Sequence, residues 1–158
     1  MAYLIDGNNL LGYLFPENIR DPENKYSLIS KLSIFQKLTK TRVILVFDGP
    51  PDLNIKDKYF RIKKFSIIYP PFQEKADEII KEIILKQTDL RRFFVVSSDR
   101  EIRNFAQKNR AKTLKCDEFH KQLKKALKDY KKLKEKEKNV EFPSSFEIEQ
   151  WLKIFKKK

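Results

Sequence analysis

The chain has 158 residues, 35 Lys plus Arg against 22 Asp plus Glu, a formal net charge of +13, and 41% apolar content that includes thirteen Phe. That is the size and composition of a folded domain with a short appendage, not of a disordered basic tail. Three glycines, one histidine (His120) and one cysteine (Cys116) exclude a glycine-rich phosphate loop and hence a nucleotide cofactor, a His-rich zinc site, a paired-cysteine metal knuckle and an internal disulfide.

Cysteine usage fits a reducing compartment. No apolar run approaches the roughly 20 residues of a membrane span, and the N-terminus lacks the basic-then-apolar plan of a signal peptide. A cytoplasmic protein with no membrane part is therefore expected. The excess of cations points to a polyanionic partner, nucleic acid first. Solubility, an anionic membrane surface or growth at high temperature are the other readings of charge alone.

In chain order, Tyr3 to Asp6 is a short apolar strand that ends in an acid and runs into a Gly7-Asn8-Asn9 turn. Tyr26 to Leu38 carries Leu28, Ile29, Leu32, Phe35 and Leu38 at helical spacing. Arg42 to Asp48 is a strand that again ends in an acid, before Gly49-Pro50-Pro51. Phe65 to Tyr69 is a third strand, closed by Pro70-Pro71. Lys75 to Lys86 is a helix with Ile79, Ile80, Ile83 and Ile84 on one face. Arg92 to Ser98 is a fourth strand, and Asp99 is placed to N-cap the helix that runs to Lys108. Ala111 to Lys115 is a weaker fifth strand. Strands that are apolar without period-two alternation belong to a sheet covered on both faces, hence parallel. The expected architecture is α/β, a three-layer α/β/α sandwich around a central, mostly parallel sheet.

From His120 to Lys138 the chain holds nine lysines against three acids, with Leu123, Leu127, Tyr130 and Leu133 as a thin apolar stripe: an amphipathic helix with a basic outer face. Asn139 to Pro143 breaks it, and Ser144-Ser145 caps a last helix bearing Phe146, Ile148, Trp151, Leu152 and Phe155. A domain over 1–127 and a basic helical extension over 128–158 are expected.

Asp6, Asp48 and Asp99 each fall at the carboxyl end of a strand, the edge where open α/β sheets form ligand sites, and Asp77 opens the isoleucine-rich helix. Each has an ordinary explanation: Asp99 as an N-cap, Asp48 as a turn former, Asp77 as a first-turn acid favoured by the helix dipole. Asp6 followed by two amides has none so simple. If the four converge they repel and raise one another's pKa, a penalty that a hard divalent cation removes.

The segments YLIDGNNLLG, LVFDGPP, EKADEIIKEII and VVSSDREIRNFA, in this order, resemble the NYN domain of the PIN-like ribonuclease superfamily, in particular its YacP-like branch. The resemblance covers about 1–127, and the ending PSSFEIEQWLKIF resembles a tail found after such domains. It implies a PIN-like fold with a metal-dependent nuclease centre at the carboxyl edge of the sheet, using one or two Mg²⁺ or Mn²⁺ ions. Carried over by residue, Asp6, Asp77 and Asp99 would ligate metal, Asp48 would join the same cluster, and Asn8 would orient substrate phosphate or metal-bound water. Ser97 and Ser98 would support them from behind, with Glu74, Glu78 and Glu101 as nearby spare acids and Asn9 pinning the turn.

Such a cation stabilises the more anionic transition state of phosphodiester hydrolysis and supplies hydroxide near neutral pH. Lys56, Lys58, Arg61, Lys63 and Lys64, interleaved with Tyr59 and Phe60, supply phosphate-neutralising charge and candidate stacking surfaces, unless the two aromatics are core. Lys75, Arg100 and Arg103 lie beside the acids in sequence and could grip the scissile strand. His120, on the basic helix, reads as a surface or packing residue. That helix could reach longer RNA or a ribosomal surface, or be simply a solvated face. The expected activity is endonucleolytic cleavage of single-stranded RNA, the alternative a non-catalytic RNA-binding or ribosome-associated module on the same fold. A haloacid-dehalogenase site needs an acid where Asn8 stands, a receiver domain fits poorly, and a toxin of the PIN-like kind is not distinguished by the lysine-rich tail.

Overall fold

In the computed structural model, residues 1–50, 64–71 and 74–136 are described. The expectations for Lys56, Lys58, Arg61 and Lys63, and for the last helix from Ser144, lie outside these residues. Five strands, β1 (Ala2–Asp6), β2 (Arg42–Val46), β3 (Phe65–Ile68), β4 (Phe93–Val96) and β5 (Lys112–Leu114), form one sheet in the order β3-β2-β1-β4-β5. Every pairing is parallel. Five helices join them: α1 (Gly7–Leu14), α2 (Pro22–Thr39), α3 (Ala76–Lys86), α4 (Arg100–Lys108) and α5 (Cys116–Lys136).

The burial of both faces follows from the apolar runs. Tyr3, Ile5, Val43, Leu45 and Phe47 pack under α1, α2 and α5. Leu4, Ile44, Val46 and Val95 pack under α3 and α4. The result is the expected α/β/α sandwich. Leu4, Ile5, Ile44, Leu45, Val46, Val95 and Val96 are at most 2% exposed, and each contributes about 1.5–3 kcal/mol by leaving water.

Three elements differ from the sequence expectation. A helix, α1, occupies the place of the Gly7-Asn8-Asn9 turn. Gly and Asn are poor helix formers, but Leu10 and Leu11 are buried here, and tertiary packing overrides the local preference. Gly7 is required by space: a Cβ would sit 2.6 Å from the Phe47 ring and 2.8 Å from the Val46 carbonyl oxygen. Helix α2 starts at Pro22, four residues before the expected Tyr26, because Asp21 caps it, accepting from the Glu23 N–H at 3.0 Å, and Pro is tolerated in the first turn. Helix α5 starts at Cys116, and Glu118 reaches back to accept from the Lys115 N–H at 2.9 Å.

Helix α5 is continuous across residue 127, and its first turns belong to the core. Phe119, Leu123 and Ala126 are buried against α1 and α2. An aromatic cluster fastens this layer: Tyr3 of β1 meets Phe35 of α2, Phe94 of β4 and Phe119 of α5 at centroid distances of 5.2, 5.2 and 5.6 Å. Phe35 and Phe119 are themselves 5.2 Å apart, edge to face. The Tyr3 hydroxyl donates to Gln122 Oε1 at 3.2 Å. The Phe119→Ala substitution should therefore cost about 3–5 kcal/mol, read in urea denaturation as a lower midpoint with the slope unchanged. A loss below about 1 kcal/mol would mean that α5 is a detachable appendage.

Candidate active site at the carboxyl edge of the sheet

The strand order places β1 between β2 and β4. The chain leaves β1 towards β2 and later returns to β4 on the other side, so the carboxyl ends of β1 and β4 flank the topological switch point, where ligand crevices open in such sheets. Asp6 ends β1, and Ser97, Ser98 and Asp99 follow β4 directly.

Asp6 is 8% exposed and caps α1. Its Oδ1 accepts from the Asn9 N–H at 3.5 Å and its Oδ2 from the Ser97 hydroxyl at 3.1 Å. Ser97 Oγ in turn accepts from the Asp99 N–H at 3.1 Å. Asp99 caps α4, accepting from the Glu101 and Ile102 N–H groups at 2.8 and 3.4 Å. Helix α3 has no side-chain cap of its own, since Lys75 stands at the capping position. Asp48, just beyond β2, supplies one from a distance: its Oδ1 accepts from the Ala76 N–H at 2.8 Å.

The two asparagines staple strand ends together. Asn8 Oδ1 accepts from the Asp48 N–H at 3.0 Å, tying β1 to β2. Asn9 Oδ1 accepts from the Ser98 N–H at 2.7 Å and from the Cys116 thiol at 3.1 Å, tying β1 to β4 and α5. The Cys116 N–H donates to Ser98 Oγ at 3.1 Å. Burial pushes the Cys116 pKa up, against hydrogen bonds with Ser98, which keeps the thiol a donor. Asn8 does on the β2 side the same work that Asn9 does on the β4 side.

The Asp6 pKa is pushed up to about 6, chiefly by burial, with the charges of Asp48 and Asp99 adding to the rise and the bonds from Ser97 and Asn9 opposing it. Asp48 and Asp99 thus both act on Asp6 electrostatically. Asp77 lies in the first turn of α3, its Oδ1 accepting from the Glu78 N–H at 3.0 Å. One turn on, Lys81 Nζ lies 2.7 Å from Glu101 Oε1, joining α3 to α4. The Glu101 carboxylate, with Asp77 and Asp99 behind it, raises the Lys81 pKa. Lys81 and Cys116 were not singled out for this site from sequence; Lys81 lies four residues after Asp77, the same-face spacing of a helix.

Among the described residues, no three His, Cys, Asp or Glu side chains stand together in an arrangement that holds a metal ion. The donor chemistry nevertheless fits a hard divalent cation: the acids at this edge are all oxygen donors, and a positive charge between Asp6, Asp48 and Asp99 would offset the repulsion that raises the Asp6 pKa.

The basic residues divide by position. Lys75 and Arg100 are exposed beside the N-termini of α3 and α4. Arg103 is half-buried on α4, and its Nε has no hydrogen-bond partner among the described residues. Lys64 precedes β3, with φ of 61° and its carbonyl accepting from the Val43 N–H at 2.8 Å. It sits at the amino edge of the sheet, away from the acids.

Asp6 makes stability depend on pH. Its folded pKa lies above the unfolded value, so the native state binds the proton more tightly, and stability falls as pH rises from about 4 through about 6. The loss is on the order of 3 kcal/mol at most, from a shift of roughly two units. The Asp6→Asn variant should lack this component, gaining on the wild type between pH 4 and 7 in urea denaturation. A pH-independent difference between the two would refute the buried-charge account.

The chain matches the family model for the YacP-like NYN domain over residues 3–153. A comparison with curated protein sequences gives no match. Among solved structures, the crystal structure of Rae1 (YacP) from Bacillus subtilis is similar, with a TM-score of 0.71, 22% identity, and coverage of 99% of this chain and 93% of that one. A single-substitution variant of the same Bacillus protein gives a TM-score of 0.68 at 21% identity, covering 98% and 92% of the two chains. The matched span takes in every strand and helix that builds the acidic edge, and the chain belongs to the YacP-like NYN domain family.

Proposed function

We propose that this chain is a metal-dependent endoribonuclease acting on single-stranded RNA. The observation that carries the reading is the buried Asp6 at the switch point, with Asp48 and Asp99 in its field, inside a chain of net charge +13. Membership of the NYN family supports RNA as the substrate class. Asp6, Asp48 and Asp99, joined by Asp77 from α3, are the residues that would hold Mg²⁺ or Mn²⁺. Once bound, the cation would supply Lewis acidity at the scissile phosphate and a lowered pKa for its water.

The remaining roles fall to the chain's own groups. The Ser97 hydroxyl and the Asn9 N–H fix the Asp6 carboxylate, so its direction is set before substrate arrives. The Asn8 and Asn9 carbonyls hold the β2 and β4 ends at constant separation from Asp6. Lys75, Arg100 and Arg103 attract the phosphates that flank the scissile bond, and Lys81 balances the acids on the α3–α4 side. With a single histidine in the chain, proton transfer falls to water and carboxylates.

Incubation of a mixed single-stranded RNA pool should give internal cleavage with Mn²⁺ or Mg²⁺ and none with EDTA. Asp6→Asn and Asp77→Asn should each reduce cleavage by at least about 100-fold while remaining folded. RNA affinity should fall with salt at a log–log slope near 0.7 per phosphate contacted. Salt-sensitive binding without cleavage under any divalent cation would instead support the non-catalytic RNA-binding module.

A further inference from the structure

The seam where α1, α2 and α5 meet carries an exposed tyrosine that is not part of the acidic edge. Among the described residues, the large apolar side chains left exposed are Met1, Tyr13, Ile19, Leu85 and Leu133, and Tyr13, 46% exposed, is the aromatic one. It stands at the end of α1. Its ring meets His120 of α5 edge to face, with centroids 5.6 Å apart and an interplanar angle of 75°. Tyr13 is therefore held in place by its neighbour while nearly half of it faces water.

Positive charge surrounds this pair. Lys124, one turn after His120, is exposed, and Lys31 of α2 lies with its ammonium 5.7 Å from the Phe15 ring centroid. Both ammonium groups reach His120 electrostatically; with burial as the larger cause, they lower its pKa, and the imidazole is neutral at pH 7. The local arrangement is an exposed aromatic ring buttressed by a neutral imidazole and flanked by two lysines.

Its location matters equally. Helix α1 begins at the Asp6 cap and α5 begins at Cys116, whose thiol and N–H bond Asn9 and Ser98. Both helices start at the acidic edge and run away from it together. Tyr13 is seven residues beyond Asp6, or about 10 Å along the helix at 1.5 Å per residue. A strand that reaches the acids has this seam beside it.

We infer that the α1–α5 seam is a nucleotide subsite, in which an unpaired RNA base stacks on Tyr13 and the adjoining phosphate is held by the exposed Lys124. An exposed ring offers a π-face to any base, so the subsite favours single strands without reading their sequence. Lys124 provides the counter-charge that an aromatic docking surface for an apolar protein segment would not need. A duplex keeps its bases stacked inside and gains nothing from the ring.

The inference rests on the RNA-acting reading above, and its test is binding, separable from cleavage. Fluorescence anisotropy of a labelled single-stranded RNA, measured in EDTA so that nothing is cut, should show Tyr13→Ala binding about tenfold more weakly, the effect of one lost base stack. Tyr13→Phe should stay within about twofold of wild type because it keeps the stacking face. Lys124→Ala should lower the salt slope by about 0.7. Binding of duplex RNA of the same length should be unaffected by Tyr13→Ala.

Equal affinity of wild type and Tyr13→Ala for the single strand overturns the subsite, as does an equal loss with the duplex. If the wild type cuts RNA and binding ignores Tyr13, the subsite fails and the nuclease reading stands. If binding needs Tyr13 but no cation supports cutting, the reverse holds.

Discussion

Three carboxylates share one edge of this sheet because each sits at the N-terminus of a helix. Asp6 caps α1 and Asp99 caps α4, while Asp48 caps α3 from across a gap in sequence. Unpaired backbone N–H groups and the positive end of the helix dipole offset the mutual repulsion of the acids. Without those three helix starts, ionised acids this close would spread apart or take up protons. The capping role and the site role are therefore one arrangement. Asp48 and Asp99 cap through a single oxygen, Oδ1, so the cap sets the direction of the second.

Asp6 differs from its neighbours in depth. Both its oxygens are engaged and it is buried, and burial pushes its pKa up to about 6. The bond from Ser97, which also takes up the Asp99 N–H, makes Asp6 and Asp99 parts of one chain of hydrogen bonds. Asn8 and Asn9 extend that chain sideways to β2 and β4. A change at any of these positions moves the carboxylates relative to each other rather than removing a single contact, because the strand ends are cross-linked through side chains as well as through the sheet ladder.

The opposite layer contributes in a different way. The Tyr3, Phe35, Phe94 and Phe119 cluster binds α5 to the sheet with large, rigid rings. Helix α5 thereby starts at a fixed point beside Asn9 and Ser98 and carries its lysines outward from there. Asp6, Asp48 and Asp99 are gathered at three helix starts, while α5 presents a row of exposed lysines.

Residue order alone determined the α/β class, the parallel sheet and the positions of Asp6, Asp48 and Asp99 at strand ends, because apolar runs without alternation can only be buried on both faces. It also marked Asp99 as a cap, since that signal is local. It missed α1, because Gly7, Asn8 and Asn9 are poor helix formers whose cost is met by contacts with β2, β4 and the core, none of them near in sequence. Capping of α3 by Asp48, stapling by Asn8, and the pairing of Lys81 with Glu101 were equally hidden, each joining residues that only the β3-β2-β1-β4-β5 order brings together. Chemistry-bearing residue types are a property of the sequence; which of them share one another's electric field is decided by topology, since the interaction falls off over a few ångströms while the chain separates the partners by tens of residues.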